Sequence, residues 1–251
     1  MASSKPGSGT GDASPPKILV IGFGALGGLY SWILSKGGAQ IYAVARSNAQ
    51  SLRTSGIRIQ SEAYGTEDFK PYKVFSSPEE IVECEPYDYV LCTMKIVPEE
   101  EKTGDLLKKM LKGNGAHSTL PRIKKPAIVF VENGIGIEDE PFETLCKGDD
   151  AIASTIISCC AWLGANLTDG GKVVSHGNFE RLEMGLYPPP NATDDAQEAS
   201  WQMEKLKAFS EMYNRGDGKA ELIEGDIQPK RWIKGELILL FLDEALIHLS
   251  L

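Results

Sequence analysis

Residues 17–30, KILVIGFGALGGLY, decide how the rest of the sequence is interpreted. The first five, Lys17–Ile21, form a short apolar run that is typical of a buried parallel strand. Ala25–Lys36 then has apolar residues at helical spacing and is followed by two glycines, which predicts a helix and its end. Residues 40–45 predict the next strand, so that a complete βαβ unit occupies about 30 residues.

Between this strand and this helix lies the pattern G-x-G-x-x-G, formed by Gly22, Phe23, Gly24, Ala25, Leu26 and Gly27. In a dinucleotide site the first glycine permits a tight turn, and the second lets a pyrophosphate approach the backbone. The third lets helix and strand pack closely, so that the phosphate lies at the helix N-terminus. Glycine turns also serve packing alone, but the flanking strand and helix favour dinucleotide binding.

The end of the second strand indicates which nicotinamide cofactor the site takes. An NAD site has Asp or Glu there, about 20 residues after the glycines, to accept hydrogen bonds from the ribose. Here the strand ends in Val-Ala-Arg-Ser, in which Arg46 stands and no acid does. A guanidinium can pair with a 2′-phosphate that a carboxylate would repel. The pattern favours NADP, and the alternative is that Arg46 is a solvated surface residue.

Two polar residues follow later apolar runs. Lys95 closes a predicted strand over 89–94, and Asn133 follows one over 127–131. Open α/β sheets form their ligand crevice at the carboxyl ends of the strands, which makes both residues candidates for holding the cofactor. The alternative for each is a turn residue or a surface charge.

The fold class predicted is α/β, a Rossmann-type doubly wound and mostly parallel sheet covered on both faces. Three parts are expected: a disordered tail over 1–16, an NADP-binding domain over 17–190, and the start of a helical substrate domain over 191–251. Further strands are predicted at 57–61, 72–75, 152–158, 172–175 and 181–186, and further helices at 99–110, 135–145, 197–213 and 227–250.

Composition excludes several classes of protein. The net charge of −9 argues against a nucleic-acid partner, because phosphate recognition needs a basic face. No apolar stretch is long enough to span a bilayer, and residues 1–16 lack the features of a signal or transit peptide. The five cysteines show no CxxC spacing and the three histidines no metal-ligand spacing. We expect a cytoplasmic protein without a metal site.

The sequence resembles the ketopantoate reductase family. The glycine loop, the Thr-Met-Lys that ends at Lys95 and the Glu-Asn-Gly-Ile-Gly around Asn133 look like that family's motifs. HGNFERLEMG at 176–185 and DIQPKRWIK at 226–234 resemble its later segments. The resemblance implies reduction of a 2-oxo acid by NADPH, first of all 2-dehydropantoate to pantoate in pantothenate biosynthesis. It implies that the glycine loop, Arg46, Lys95 and Asn133 hold NADPH. Lys234 would be the catalytic lysine, bonded to the ketone oxygen.

The residues after Lys234 depart from that family's pattern. Ile238 stands where the family has an asparagine, and 237–242 is apolar on all sides, which in water requires burial. We therefore expect a C-terminally truncated helical domain, through either a retained intron or a true truncation, and an apolar end that can self-associate. Three functions stay open: a working reductase, an NADP-binding module without turnover, and another small hydroxyacid-type dehydrogenase.

Overall fold

The computed structural model describes residues 14–81, 86–94, 101–112, 120–193 and 195–248, with only the backbone described at positions 78, 112 and 239–248. The predicted tail over 1–16 lies mostly outside these residues. The strands are β1 Lys17–Ile21, β2 Gln40–Val44, β3 Ile57–Ser61, β4 Gly65–Phe69, β5 Lys73–Phe75, β6 Tyr89–Cys92, β7 Ala127–Phe130, β8 Thr155–Thr168, β9 Val173–Tyr187 and β10 Ala220–Ile223. The α-helices are α1 Ala25–Lys36, α2 Ala49–Ser55, α3 Thr103–Lys112, α4 Asp139–Cys146, α5 Ala196–Arg215 and α6 Gln228–His248.

The described strands form one sheet in the order β4-β3-β9-β8-β7-β6-β1-β2-β5, with β10 beside β9. The six strands from β8 to β5 are parallel neighbours. The pairs β8–β9 and β3–β4 are antiparallel. Because the chain leaves β1 on one side for β2 and returns on the other side for β6, the strand order reverses there. Ligands of open α/β sheets bind outside the carboxyl ends of the strands at such a switch point. The predicted Rossmann-type fold is confirmed.

Apolar clusters cover both faces of the sheet. On one face, α1 and α5 pack over residues of β1, β2 and β7, and Leu29, Ile33 and Phe209 are almost fully buried there. On the other face, α3 and α4 pack over the alternate residues of the same strands, among them Leu19 and Phe130. The strands are apolar on both sides for this reason, as the continuous run at β1 predicts.

The βαβ unit agrees with the prediction, since β1 and α1 have the predicted bounds and β2 ends one residue early. The predicted helix over 135–145 begins only at Asp139. Gly134 and Gly136 have φ of +131° and +69°, which a helix does not allow. The helix predicted over 99–110 is observed as α3, and residues 99 and 100 lie outside the described residues.

The prediction of two separate strands at 172–175 and 181–186 is wrong, because β9 is continuous and forms a long hairpin with β8. The residues between the two predicted strands, 176–180, are mostly polar. There, His176 lies 2.8 Å from the Ser61 hydroxyl, and the two Glu180 carboxylate oxygens accept hydrogen bonds from the hydroxyls of Tyr213 and Tyr64. These polar groups are therefore buried with partners, which a strand tolerates.

Two strands were not predicted. β4 forms a hairpin with β3, and β10, which contains the charged residue Glu221, adds to β9. Past residue 190 the chain returns to the sheet, because α5 buries Leu206, Phe209 and Met212 in the apolar cluster that it shares with α1. The division of the chain at residue 190 stays a prediction. Of the described helices, none combines the length and the apolar character needed to cross a membrane.

Candidate functional site

The three glycines of the loop between β1 and α1 have different surroundings. Gly22 has φ +95°, and a Cβ atom there would lie 2.5 Å from the backbone nitrogen of Met94. A Cβ at Gly27 would lie 2.3 Å from the carbonyl oxygen of Gly22, so α1 packs against the loop without room for a side chain. A Cβ at Gly24 would meet no atom within 4 Å. The second glycine therefore faces open space, as a backbone that a phosphate approaches must do.

The loop is held from the neighbouring strand end. The carbonyl oxygen of Gly22 accepts hydrogen bonds from the Thr93 hydroxyl at 2.5 Å and from the Gly24 amide at 3.0 Å. No side chain caps α1, and its first turn contains no acidic residue. The N–H groups of that turn lack intrahelical partners by construction, so they are available to an anion. Of the other loop residues, Phe23 is buried, whereas Ala25 and Leu26 are half-buried.

Arg46 is exposed in the turn after β2 and has no hydrogen bond or ion pair with any described residue. The same turn contacts the glycine loop, because the Asn48 side-chain amide donates to the carbonyl oxygen of Phe23 at 3.4 Å. An exposed guanidinium that has no partner among the described residues, in a turn that contacts the glycine loop, suits a 2′-phosphate.

A cleft of about 630 Å³ lies at the carboxyl ends of the central strands. The cleft brings together Leu26 of the glycine loop, Asn133 and Lys234. Each of these is more than a hundred residues from the next along the chain. The described lining of the cleft consists of Leu26, Thr93, Met94, Val131, Glu132, Asn133, Ala161, Trp162, Leu163, Lys234, Leu237 and Ile238. Lys95, which is also predicted to hold the cofactor, lies outside the described residues.

Lys234 reaches this cleft from α6. Its ammonium donates to the carbonyl oxygen of Ala161 at 2.5 Å and lies 5.8 Å from the centre of the Trp162 ring. Burial lowers the pKa of Lys234, and the nearby Arg231 guanidinium lowers it as well, against the opposing influence of Cys160. Trp232, which belongs to the same motif, is exposed and is not among the described residues that line the cleft. Because the Ala161 carbonyl oxygen is its one acceptor among the described residues, two of the three donor hydrogens of Lys234 remain for a ligand.

Two buried charged residues next to the cleft were not predicted. Arg231 is only 3% exposed and makes an ion pair with the fully buried Glu138. Glu132 is 9% exposed, and neither of its carboxyl oxygens has a hydrogen-bond partner among the described residues. Burial raises the pKa of Glu132 to about 8, with Arg231 opposing the shift and Glu138 adding to it. The available sequence signal was the spacing of Arg231 three residues before Lys234, which places both on one side of a helix.

The family model described as Ketopantoate reductase PanE/ApbA matches residues 18–189, which is most of the chain. The chain belongs to the ketopantoate reductase family. This family member is 34% identical over 89 residues to the Meiotically up-regulated gene 72 protein of Schizosaccharomyces pombe, a match that covers 35% of the chain and 16% of that protein. It is 25% identical over 172 residues to the 2-dehydropantoate 2-reductase of Nostoc sp., covering 68% of the chain and 46% of that protein.

Among solved structures, the crystal structure of 2-dehydropantoate 2-reductase from Methylococcus capsulatus superposes on this ketopantoate reductase family member with a TM-score of 0.65 and 27% identity. The superposition covers 87% of the present chain and 60% of the Methylococcus chain. The chain thus spans about half the length of the Nostoc relative and about three fifths of the length of the solved one.

Proposed function

We propose that this ketopantoate reductase family member binds NADPH in the cleft and reduces a 2-oxo acid, first of all 2-dehydropantoate, to the 2-hydroxy acid. The observation that carries the proposal is the position of the Lys234 ammonium, in the same cleft as Asn133 and the first turn of the glycine-loop helix. The Nostoc and Methylococcus relatives, which are named 2-dehydropantoate 2-reductases, support the choice of substrate.

The residues present fit a phosphorylated dinucleotide. The start of α1, which no described side chain caps, and the open space at Gly24 suit the pyrophosphate. The Arg46 guanidinium, which has no partner among the described residues, suits a 2′-phosphate. Asn133, exposed at the end of β7, offers a donor and an acceptor to the nicotinamide half. Lys95 stays a prediction for the same ligand.

When bound, NADPH would supply a hydride for the carbonyl carbon of the acid. Lys234 then has two tasks, since its ammonium donates a hydrogen bond to the ketone oxygen and gives that oxygen a proton as negative charge develops. The alcohol forms, and the neutral amine regains a proton from water. The lowered pKa of Lys234 suits this role, because a more acidic ammonium transfers its proton more readily.

A second function, binding of NADP without turnover, is favoured by the far side of the cleft. One turn beyond Lys234, α6 presents Leu237 and Ile238 to the cleft. Among the described residues that line the cleft, Lys234 is the one with a positive charge. If Lys234 binds the ketone oxygen, no second cation among these residues is left for the carboxylate of a 2-oxo acid. This favours a module that binds the cofactor and does not catalyse the reduction. Another small hydroxyacid-type dehydrogenase is the third candidate.

Fluorescence titration with NADPH and NADH tests the cofactor part of the proposal. We expect NADPH to bind at least about ten times tighter, which corresponds to about 1.4 kcal/mol and is a modest demand on one charge-assisted pair. Arg46→Asp should erase or reverse this preference. Lys207→Asp makes the same charge change at an exposed position of α5 and should leave the preference intact. Equal affinities in the unmodified chain would contradict the assignment to NADP.

A single-turnover experiment separates the candidate functions. The protein is mixed with NADPH and 2-dehydropantoate in excess, and oxidation of the cofactor is followed by absorbance. Stoichiometric oxidation supports the reductase, and tight NADPH binding without oxidation supports the binding module. Oxidation with a different 2-oxo acid, but not with 2-dehydropantoate, supports another hydroxyacid-type dehydrogenase. The absence of NADPH binding refutes the NADPH-dependent reductase and the NADP-binding module.

A further inference from the structure

We infer that Arg231 is a positioning residue, which fixes the turn that contains Asn133 and the helix that contains Lys234 against each other around the cleft. The inference rests on the proposed function, because it concerns how the nicotinamide half of the cofactor is held. Arg231 itself is buried and does not belong to the described lining of the cleft.

One nitrogen of the guanidinium binds the carbonyl oxygens of both residues that flank Asn133. Nη1 of Arg231 donates to the carbonyl oxygen of Glu132 at 3.0 Å and to that of Gly134 at 2.9 Å. Gly134 has φ +131°, so the chain at this point has left the regular strand and lacks the ladder that would otherwise align it. The direction of the Asn133 side chain therefore depends on these two hydrogen bonds.

The remaining guanidinium atoms connect the same residue to β8 and α4. Nε donates to the Ser158 hydroxyl at 2.7 Å, and Nη2 lies 3.5 Å from the carbonyl oxygen of Cys159. The charge is balanced by Glu138, which also accepts a hydrogen bond from Ser158 at 2.5 Å. A planar guanidinium presents five donors in a rigid fork that matches these partners, whereas an ammonium presents only three on a flexible stem. The contact geometry thus requires arginine at this position.

Lys234 follows Arg231 by three residues on α6, so both side chains leave the same side of the helix. Arg231 binds β8 at Ser158 and Cys159, and Lys234 binds the same strand at Ala161. Loss of the Arg231 contacts would therefore release the start of α6 and shift the ammonium relative to Asn133. Misplacement of a reacting group by about 1 Å can reduce a rate on the order of a hundredfold.

The test compares the affinities of the Arg231→Lys protein for two ligands. This variant keeps the positive charge and removes the planar set of guanidinium donors. NADPH extends to Asn133, whereas 2′-phospho-ADP-ribose lacks the nicotinamide and uses the glycine loop and Arg46. We expect the affinity for NADPH to fall about tenfold, as for the loss of a hydrogen bond to a charged group. The affinity for 2′-phospho-ADP-ribose should stay within about twofold of the unmodified protein. A residue that only stabilises the fold would change both affinities alike or neither.

Arg215→Lys is the matched control. The Arg215 guanidinium also donates to a backbone carbonyl, that of Gly37, at 3.2 and 3.3 Å, but at the amino ends of the strands. This variant should leave both affinities unchanged. If Arg231→Lys does not fold, Arg231→Gln combined with Glu138→Gln removes both members of the buried pair and leaves no charge unpaired. The same difference between the two ligands is expected for this double variant.

The outcomes separate the inference from the proposed function. Selective loss of NADPH affinity in the Arg231 variants supports the inference. Equal affinities of the variants and the unmodified protein for NADPH, or an equal loss for both ligands, overturn it while the proposed function stands. Failure of the unmodified protein to bind either ligand refutes the proposed function, and the inference falls with it.

Discussion

Replacing Glu132 with glutamine is expected to stabilise the protein at neutral and alkaline pH. The Glu132 carboxyl is buried at the cleft and has no hydrogen-bond partner in the described part of the chain, and burial raises its pKa from the ordinary value of 4.5 to about 8. Ionising such a group inside the protein costs free energy that ionisation in the unfolded chain does not. Glutamine has almost the same shape and does not ionise.

The sign and size of this stabilisation follow from the pKa of Glu132 in the unfolded and in the folded chain. Between pH 4.5 and about 8 the unfolded chain has lost the Glu132 proton and the folded chain has kept it. Unfolding then releases a proton, so the free energy of unfolding falls as the pH rises, by at most about 1.4 kcal/mol per pH unit. Below the unfolded pKa and above the folded one the contribution is constant. The advantage of glutamine is therefore near zero in acid and reaches on the order of 3–5 kcal/mol in alkaline solution.

Urea denaturation followed by tryptophan fluorescence, repeated from about pH 5 to about pH 9, measures this difference. Glu211→Gln, at an exposed position of α5, is the control and should give a curve parallel to that of the unmodified protein. A difference between Glu132→Gln and the unmodified protein that does not change with pH would refute the reasoning. It would show that Glu132 titrates in the folded protein as it does in the unfolded chain.

Three further predictions concern the cleft and the end of α6. Gly24→Ala should weaken NADPH binding with little change in melting temperature, because its methyl group meets open space, whereas Gly27→Ala should lower the melting temperature through the clash at 2.3 Å; titration and calorimetry of both variants check this. If the chain turns over, Lys234→Ala should lower kcat on the order of a hundredfold and leave NADPH affinity nearly unchanged, and an undiminished kcat in steady-state assays would make Lys234 an ordinary helix residue. Leu237→Glu together with Ile238→Glu should reduce any self-association, measured by analytical ultracentrifugation, because both side chains are exposed apolar groups on α6; an unchanged mass distribution would contradict that role.

The parts of the site that depend on local signals could be predicted from the sequence. The glycine loop follows from residue spacing between a strand and a helix, and the positions of Arg46 and Asn133 follow from where two apolar runs end. The burial of Arg231 could not be predicted, because its partners Ser158 and Glu132 are 73 and 99 residues away in the sequence. An arginine on a polar helix turn is usually exposed, and only the contacts across the fold make this one buried.

The raised pKa of Glu132 could not be predicted from the sequence either. This residue continues the apolar strand β7, and the motif Glu-Asn-Gly drew attention to Asn133 alone. The pKa of its carboxyl depends on the depth of the strand end and on the charges of Arg231 and Glu138, which are properties of the assembled protein. Local pattern locates such a residue at the end of a strand, and the surrounding charges decide its chemistry.

The position of β3 between β4 and β9 has a consequence for the growing chain. The β3–β4 hairpin is complete by residue 69, yet its neighbour in the sheet, β9, spans Val173–Tyr187. More than a hundred residues lie between the end of β4 and the start of β9. At ordinary elongation rates, β9 is therefore synthesised roughly 5–20 s after the hairpin. During this interval the edge of β3 that later pairs with β9 has no strand beside it, while Glu67 and Asp68 place charge on β4, the other strand of the hairpin. One edge of the β3–β4 hairpin therefore stays unpaired during synthesis, and the sheet can form completely only after the β8–β9 hairpin has been synthesised.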